Sequence, residues 1–441
     1  MAAAGEREHY LSQFEKLAGA TGPAWLRSIR EAAISRFAEI GFPTPREEDW
    51  KYTNVLPVVK TPFRPAPELA TNGAVLRVIA DLAGETAKGS RLVFVNGLFS
   101  EALSSVDRLP EGVRVESLAQ AAAKGDEVVE RHLARHARYD QNGFTALSTA
   151  FLHDGALVIV PEGEVVDEPI EILFVSSAGK GEIVAHPRTL VVCGQGSQAA
   201  LVELYTSAAN GSSLTNAVVE VVLGDGSRLE HLKLLREGDQ AAHVATTEVA
   251  QGRDSVYKSS SIALGAAFAR NNLNVTLEAE GAECSLDGLY MPGGEQFIDN
   301  HTSIDHRVPH GTSRELYKGV LGGKSRAVFN GKVIVRPGAQ KTDAQQTNKN
   351  LLLSERAEVD TKPELQIHAD DVKCAHGAAI GQLDAEALFY LKSRGFGEVA
   401  GRKLLTTGFV NEVIGRIGIA SVLPILERLV GARLEREIGT A

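Results

Sequence analysis

The spacing of apolar positions changes twice along the chain. In the first fifty residues, "EREHYLSQFEKLAG" and "GPAWLRSIREAAISRFAEIG" carry apolar side chains at helical intervals, for example Trp25, Ile29, Ala32 and Ala33. Gly41, Pro43 and Pro45 end the second of these helices. "PREEDWKYTN" reads as a loop with two aromatics, "RLVFVNGLFS" as a short strand and turn, and "VESLAQAAAKGDEVVERHLARHA" as helical again.

From Gly155 the period becomes two. "LNVTLEAE" places Leu273, Val275, Leu277 and Ala279 on one face and Asn274, Thr276, Glu278 and Glu280 on the other. "AVVEVVLG" and "ELQIHA" alternate in the same way. Glycine turns recur among these strands, with Gly196, Gly226, Gly252 and Gly281 as markers. Short strands between turns that recur at ~20–45 residues predict a β-solenoid, with a β-sandwich as the alternative that shares the strand pattern. After His376 the period is helical again. Asp384 is placed to cap "AEALFYLKSR", and Gly395 stands where a left-handed C-terminal residue belongs. "GEVAGRKLLTTGFVNEVIGRI" and "SVLPILERLVGARLEREI" follow, the latter with Ser421 as candidate cap, Pro424 in its first turn and a stripe of Ile425, Leu426, Leu429, Val430, Arg433 and Leu434. The division expected is a helical and mixed domain over 1–154, a β core over 155–376 and a helical domain over 377–441. Because the blunt end of a solenoid exposes strand edges and core, the last helices are expected to cap it.

Composition narrows the class. The 441 residues are 44% apolar and 23% charged with a net charge of −10, and no run of lysine and arginine interrupts that balance. This argues against a nucleic-acid partner or an anionic membrane surface. "MAAAGEREHYLSQFEK" lacks a secretory apolar stretch, and no apolar run reaches the ~18 residues of a membrane span. Three well-separated cysteines, Cys193, Cys284 and Cys374, argue against a disulfide framework and for a reducing, cytoplasmic setting. They are also too few to hold an iron–sulfur cluster, which normally takes four thiolates.

The motifs of nucleotide hydrolysis, serine hydrolysis and structural zinc are absent; "LGGKSRAV" is read as a turn between strands. "FIDNHTSIDHRVPHG" gathers Asp299, His301, Asp305, His306 and His310. Parity sends His301 and His306 to opposite faces, and Pro309 turns the chain before His310, so these are read as polar residues on one solvated face. Cys374 and His376 are two apart on an extended segment and share a side, which allows one ion to touch both. Leu365, Ile367 and Val372 nearby favour core packing of Cys374. Two donors complete no metal site, so the pair is functional only at an interface.

Several stretches carry a likeness: "PREEDWKYTN", "NHTSIDHRVPHGTSRELYKGVL", "GKSRAVFNGKVIV" and the segment from "AQKTDAQQTNKN" through "VKCAHGAAIG" to "LKSRG". Together they resemble the SufB/SufD family of the SUF iron–sulfur cluster assembly machinery, in its SufD form. The resemblance implies a mainly β fold, a right-handed parallel β-helix flanked by N- and C-terminal helical domains. It implies a non-enzymatic scaffold that pairs with SufB through the β-helices and holds the SufC ATPase by its C-terminal helices. It makes His376, with Cys374 as the weaker candidate, a ligand for iron or a nascent cluster shared transiently with SufB, none being held stably by this chain alone. In the absence of SufB, homodimer and monomer are both left open. Asp384, Tyr390, Arg394 and Phe396 are expected to serve the SufC contact, aromatic and arginine clusters being common at such interfaces. Gly311 departs from the family, where cysteine is frequent. A β-helix carbohydrate-active enzyme, using the acidic and basic residues of "DNHTSIDHR", and a purely structural solenoid are the competing functions.

Overall fold

The computed structural model describes residues 2–17, 22–66, 69, 71–86, 89–106, 109–179 and 181–439. From Gly155 the chain winds into coils of two main strands each, and up to the last coil each of these pairs in parallel with the strand one coil later. One sheet runs from Gly155–Val160 through Arg188–Cys193, Ser213–Leu223, Ala241–Gln251, Phe268–Leu277, Phe297–His306 and Arg326–Val335 to Glu358–Ile367. The other runs from Ile170–Ser176 through Gln198–Ser207, Arg228–Arg236, Val256–Ala263, Glu283–Tyr290, Thr312–Leu321 and Asp343–Leu352 to Lys373–Gly381. The solenoid, not the sandwich, is the outcome.

A recurring backbone bend makes the coils possible. Left-handed residues occur at Gly163, Gly196, Gly226, Asp254, Gly281, His310 and Lys341, once in the same turn of every coil but the last. Glycine takes this conformation without steric cost, which is why Gly196, Gly226 and Gly281 mark the repeat. Gly252 does not: in that coil the left-handed residue is Asp254, of a type that tolerates the conformation. Pairing is in register, so like positions stack in columns. Phe268 lies on Ala242 and beneath Phe297. The period-two faces are as expected, with Leu273, Val275 and Leu277 buried and Asn274 and Thr276 partly exposed.

The N-terminal residues add to both sheets. Arg91–Val95 pairs in parallel with Ile170–Ser176, and Arg114–Ser117 pairs antiparallel with Gly155–Val160. The stretch read as one helix from Val115 therefore begins as a strand, then forms Leu118–Ala123 and Glu127–His132. Ser117 and Asp126 cap the two pieces and the left-handed Gly125 separates them. The Ala24–Ile40 helix buries Leu26, Ala33, Ile34 and Phe37, whereas Ala32 is exposed. Tyr10, Phe37, Phe42, Trp50 and Phe144 then join Leu214, Val244 and Phe268 of the solenoid in one cluster.

The C-terminal helices do not cap the blunt end. They lie along the flank of the second sheet, because its outer face is itself apolar. Leu289, Met291, Leu316, Val320 and Leu351 share a core with Val410, Val413, Ile414, Ile425, Leu426 and Leu429. The predicted stripe from Ile425 to Leu434 is buried throughout. Polar ties lock the docking: Lys318 pairs with Glu412, Arg416 with Asp287 at 3.2 Å, and Arg433 Nε donates to the Met291 carbonyl at 2.9 Å. Gly293 and Gly322 leave the space that the Glu437 carboxylate fills; a Cβ at either would strike it. Ser421 caps nothing. It falls in a tight turn over Ala420–Val422 and its hydroxyl is buried without a partner, the Leu423–Gly439 helix starting after it with Pro424 in the first turn. Among the described residues no helix is long and apolar enough to cross a membrane.

Candidate functional site

With the helices on the flank, the last coil is uncovered. Among the described residues Lys373–Gly381 pairs only with Asp343–Leu352, and Glu358–Ile367 only with Arg326–Val335, so each presents one unpaired parallel edge. Register fixes what this coil displays. Cys374 stands on Ala344, His376 on Gln346, Ala378 on Asn348 and Ile380 on Asn350. Those underlying residues are buried: Gln346 Nε2 donates to Glu315 at 2.6 Å, and Asn348 Nδ2 to the Tyr290 hydroxyl at 3.0 Å. The row from Cys374 to Ile380 therefore faces the same lumen in a coil on which nothing stacks. It is interior by direction and solvent-exposed by position.

Cys374 and His376 do share a side, as parity predicts. Their surroundings differ. Cys374 is half-buried against Val333, Val335, Ala339, Ala344 and Ala369, beside Leu365 and Val372, and burial raises its thiol above the ordinary range. His376 is exposed. Two coils below it Glu315 is buried deeply enough to push its carboxyl up to about 7. Among the described residues no three His, Cys, Asp or Glu side chains converge to hold a metal ion. What the coil offers is one imidazole and one thiol on an edge that another strand can extend.

The stretch from Asp299 to His310 is not a solvated face, and this corrects the sequence reading. Asp299 is fully buried beneath the N-terminal loop. It accepts from Arg270 Nη1 at 2.6 Å and from the Thr53 hydroxyl, and pairs with His301 Nε2 at 3.1 Å. Burial alone would raise its carboxyl; Arg270, His301 and Thr53 reverse that and hold it at about 2. Arg270 in turn lies over Trp50, its guanidinium carbon 4.1 Å from the ring centroid, and Trp50 stacks on Phe144. The loop "PREEDWKYTN" and the strand "FIDNHTSIDH" are thus two halves of one packed junction. His306 points the other way, into the lumen, where Nε2 meets Ser313 at 2.9 Å and burial pushes the ring down to about 4. His310 serves the left-handed turn. At Gly311 a Cβ would stand 2.7 Å from His306 Nδ1, so histidine closes the space a side chain would need here.

The Ala385–Ser393 helix buries none of its residues. Asp384 spends its carboxylate on capping it, accepting from the Glu386 and Ala387 amides at 2.8 and 3.4 Å. Asp384 thus positions the helix and is itself exposed at its start. Tyr390 is 57% exposed and Phe396 46%, with the Arg394 guanidinium 5.1 Å above the Tyr390 ring. Phe389, 73% exposed, and Val399, 60%, are exposed apolar residues in the same helical region that sequence reasoning missed. The available signal was an apolar helix whose own domain offers it almost no partner.

Comparison with known proteins agrees with this architecture. Residues 174–409 match the family description "SUF system FeS cluster assembly, SufBD core domain", and residues 6–172 match "SufBD protein N-terminal region". The chain is 33% identical to a SufBD family iron–sulfur cluster assembly protein of Synechocystis, covering 95% of this chain and 93% of that one. It is 30% identical to the iron–sulfur cluster assembly protein SufD of Escherichia coli over 86% of each chain. With SufD of Bacillus subtilis it shares 26% identity over 92% of this chain and 94% of the relative.

Proposed function

Because the chain belongs to the SufBD family of the SUF iron–sulfur cluster assembly system, we propose that it is a SufD-type scaffold subunit working at an interface. Its terminal coil, Glu358–Ile367 with Lys373–Gly381, pairs with SufB and continues the ladders. His376, with Cys374 beside it, donates to iron or a nascent cluster whose remaining ligands come from SufB; the metal is cargo, handed on rather than kept. The Ala385–Ser393 helix and its exposed Phe389, Tyr390, Arg394 and Phe396 hold SufC, in which ATP turnover resides, and this chain performs no catalysis of its own. The cytoplasm is the compartment of this work.

One observation supports the reading above the others: an imidazole and a thiol on the lumen-facing row of an uncovered coil, too few to bind a metal alone and placed where a second solenoid would supply the rest. The competing carbohydrate-enzyme reading loses its residues, since Asp299 and His301 are committed to the Arg270 and Thr53 junction. The test is co-purification of the full chain with SufB and SufC, followed by the absorption spectrum of the reconstituted complex with and without His376. Failure to co-purify with either partner would sink the proposal.

A further inference from the structure

A cavity of about 840 Å³ opens at the seam between the Ala2–Leu17 helix, the Arg64–Pro65 segment and the first solenoid coils. It lies away from the uncovered coil and from the exposed face of the Ala385–Ser393 helix, and the assembly role leaves it unused. Much of its wall is apolar, from Leu98, Phe151, Val184 and Ala185. Clefts of this size at domain seams, mostly apolar with a few convergent polar groups, are the usual form of small-molecule sites.

One of those polar groups is His186, only 7% exposed and stacked on Phe151 with ring centroids 5.3 Å apart. Asn216 Nδ2 donates to the Phe144 carbonyl at 2.9 Å and approaches His186 Nδ1 at 3.3 Å. An amide NH₂ can only donate, so Nδ1 is the acceptor. Burial keeps the ring neutral by pushing it down to about 3. The single ring proton therefore sits on Nε2, and that buried N–H has no partner among the described residues. Buried donors are nearly always satisfied, so this one calls for an acceptor from outside the chain. Gln13 supplies the converse: its Nε2 donates to the Phe63 carbonyl at 2.8 Å, leaving Oε1 buried, without a partner among the described residues and able to accept.

Charge at the mouth selects the sign. Lys16 and Arg64 line it, and among the described residues neither pairs with a carboxylate; Glu8 is the one acidic side chain on the wall. We propose that this cavity binds a small organic anion, a carboxylate or phosphate carried on an apolar ring with an N–H or hydroxyl. The anionic oxygen accepts from His186 Nε2, Arg64 and Lys16 meet its charge, and the ring donor reaches Gln13 Oε1.

Calorimetric titration of the full chain tests this with indole-3-acetate, its neutral counterpart indole-3-acetamide, and indoxyl phosphate, which keeps the ring N–H. At least one anion binds, one per chain, and the amide binds about tenfold more weakly than the acid or not at all. Preference between the two anions tells carboxylate from phosphate. Arg64→Gln, a change at an exposed position, weakens binding about tenfold, as does His186→Phe, which keeps a ring on Phe151 and removes the donor. Three results would each overturn the proposal. Neither anion binds at millimolar concentration, the N–H then being met by water; acid and amide bind alike; or Arg64→Gln leaves affinity unchanged in a chain that melts as the parent does.

Discussion

Lys362 Nζ donates a 2.6 Å hydrogen bond to Glu48 Oε1, tying the terminal solenoid coil to a loop 314 residues earlier in the chain. The tie is electrostatic and largely exposed, with side-chain exposures of 33% and 68%, so salt screens it. Lys362→Ala should speed hydrogen exchange in the loop over residues 44–53 while hardly moving the thermal midpoint. In ~1 M NaCl, where the screening length falls to about 3 Å, parent and variant should exchange alike. Equal exchange at low salt would show that Trp50 and Thr53 anchor the loop without help.

The Arg270 and Asp299 pair is of another kind. Both side chains are buried, and Trp50 covers the guanidinium. Asp299→Ala leaves an uncompensated buried charge and should cost about 3–5 kcal/mol in urea unfolding. Combining it with Arg270→Met should recover much of that loss, since the buried charge goes with it. A double variant as unstable as the single one would contradict this account.

Glu248 stands in register with Glu220 and Asn274, and Asn274 Nδ2 donates to it at 2.6 Å. Burial pushes its carboxyl up to about 8. An unfolded glutamate titrates near ~4.3, so between these values the folded chain holds the extra proton and stability falls as pH rises. Glu248→Gln should therefore gain on the parent steadily from pH ~5 to pH ~8. Thermal midpoints measured across that range check it, and a constant difference would mean that Glu248 is ionised in the folded chain.

Three thiols of unequal access make the terminal coil measurable. Cys193 and Cys284 are buried, whereas Cys374 is half-exposed. Under native conditions a chromophoric disulfide reagent should titrate Cys374 alone, faster as pH rises toward its elevated thiol pKa. Bound SufB should abolish the reaction. His376→Ala should assemble with its partners but form less cluster; cluster formation at the parent level would make His376 structural. Cys374→Ser should matter less.

On the flank, Phe389→Ser and the charge reversal Arg394→Glu should each weaken SufC binding by about tenfold or more, the range of interface hot spots. Because the Ala385–Ser393 helix buries none of its residues, the melting temperature should stay near that of the parent. Undiminished binding by both variants would move the SufC contact elsewhere.

What could be read without coordinates follows the physics of short range. Alternation at Leu273, Val275 and Leu277, the cap at Asp384 and the glycine at 395 depend on neighbours in sequence, and each is as expected. The burial of Asp299 depends on Arg270 and Thr53, one coil and some 246 residues away, and a polar residue carries no local mark of such partners. The position of the last helices was misjudged for a related reason. Two surfaces needed cover, the blunt end and the outer face of the second sheet, and only the tally of apolar residues on both faces of strands such as 285–291 favours the second. His186 passed unnoticed because an unmet N–H is a property of its surroundings, not of its place in a strand.

The uncovered coil has a consequence for how the chain behaves when synthesised alone. A strand edge with open amides and carbonyls, flanked by the exposed Ile367 and Ile380, joins whatever compatible strand it meets first. On the pairing with SufB proposed above, the quaternary state would be set by supply, the ratio of partner subunits deciding between productive pairs and self-association. Sedimentation of the chain against added SufB reads that ratio directly, with the self-associated species giving way as the partner is titrated in.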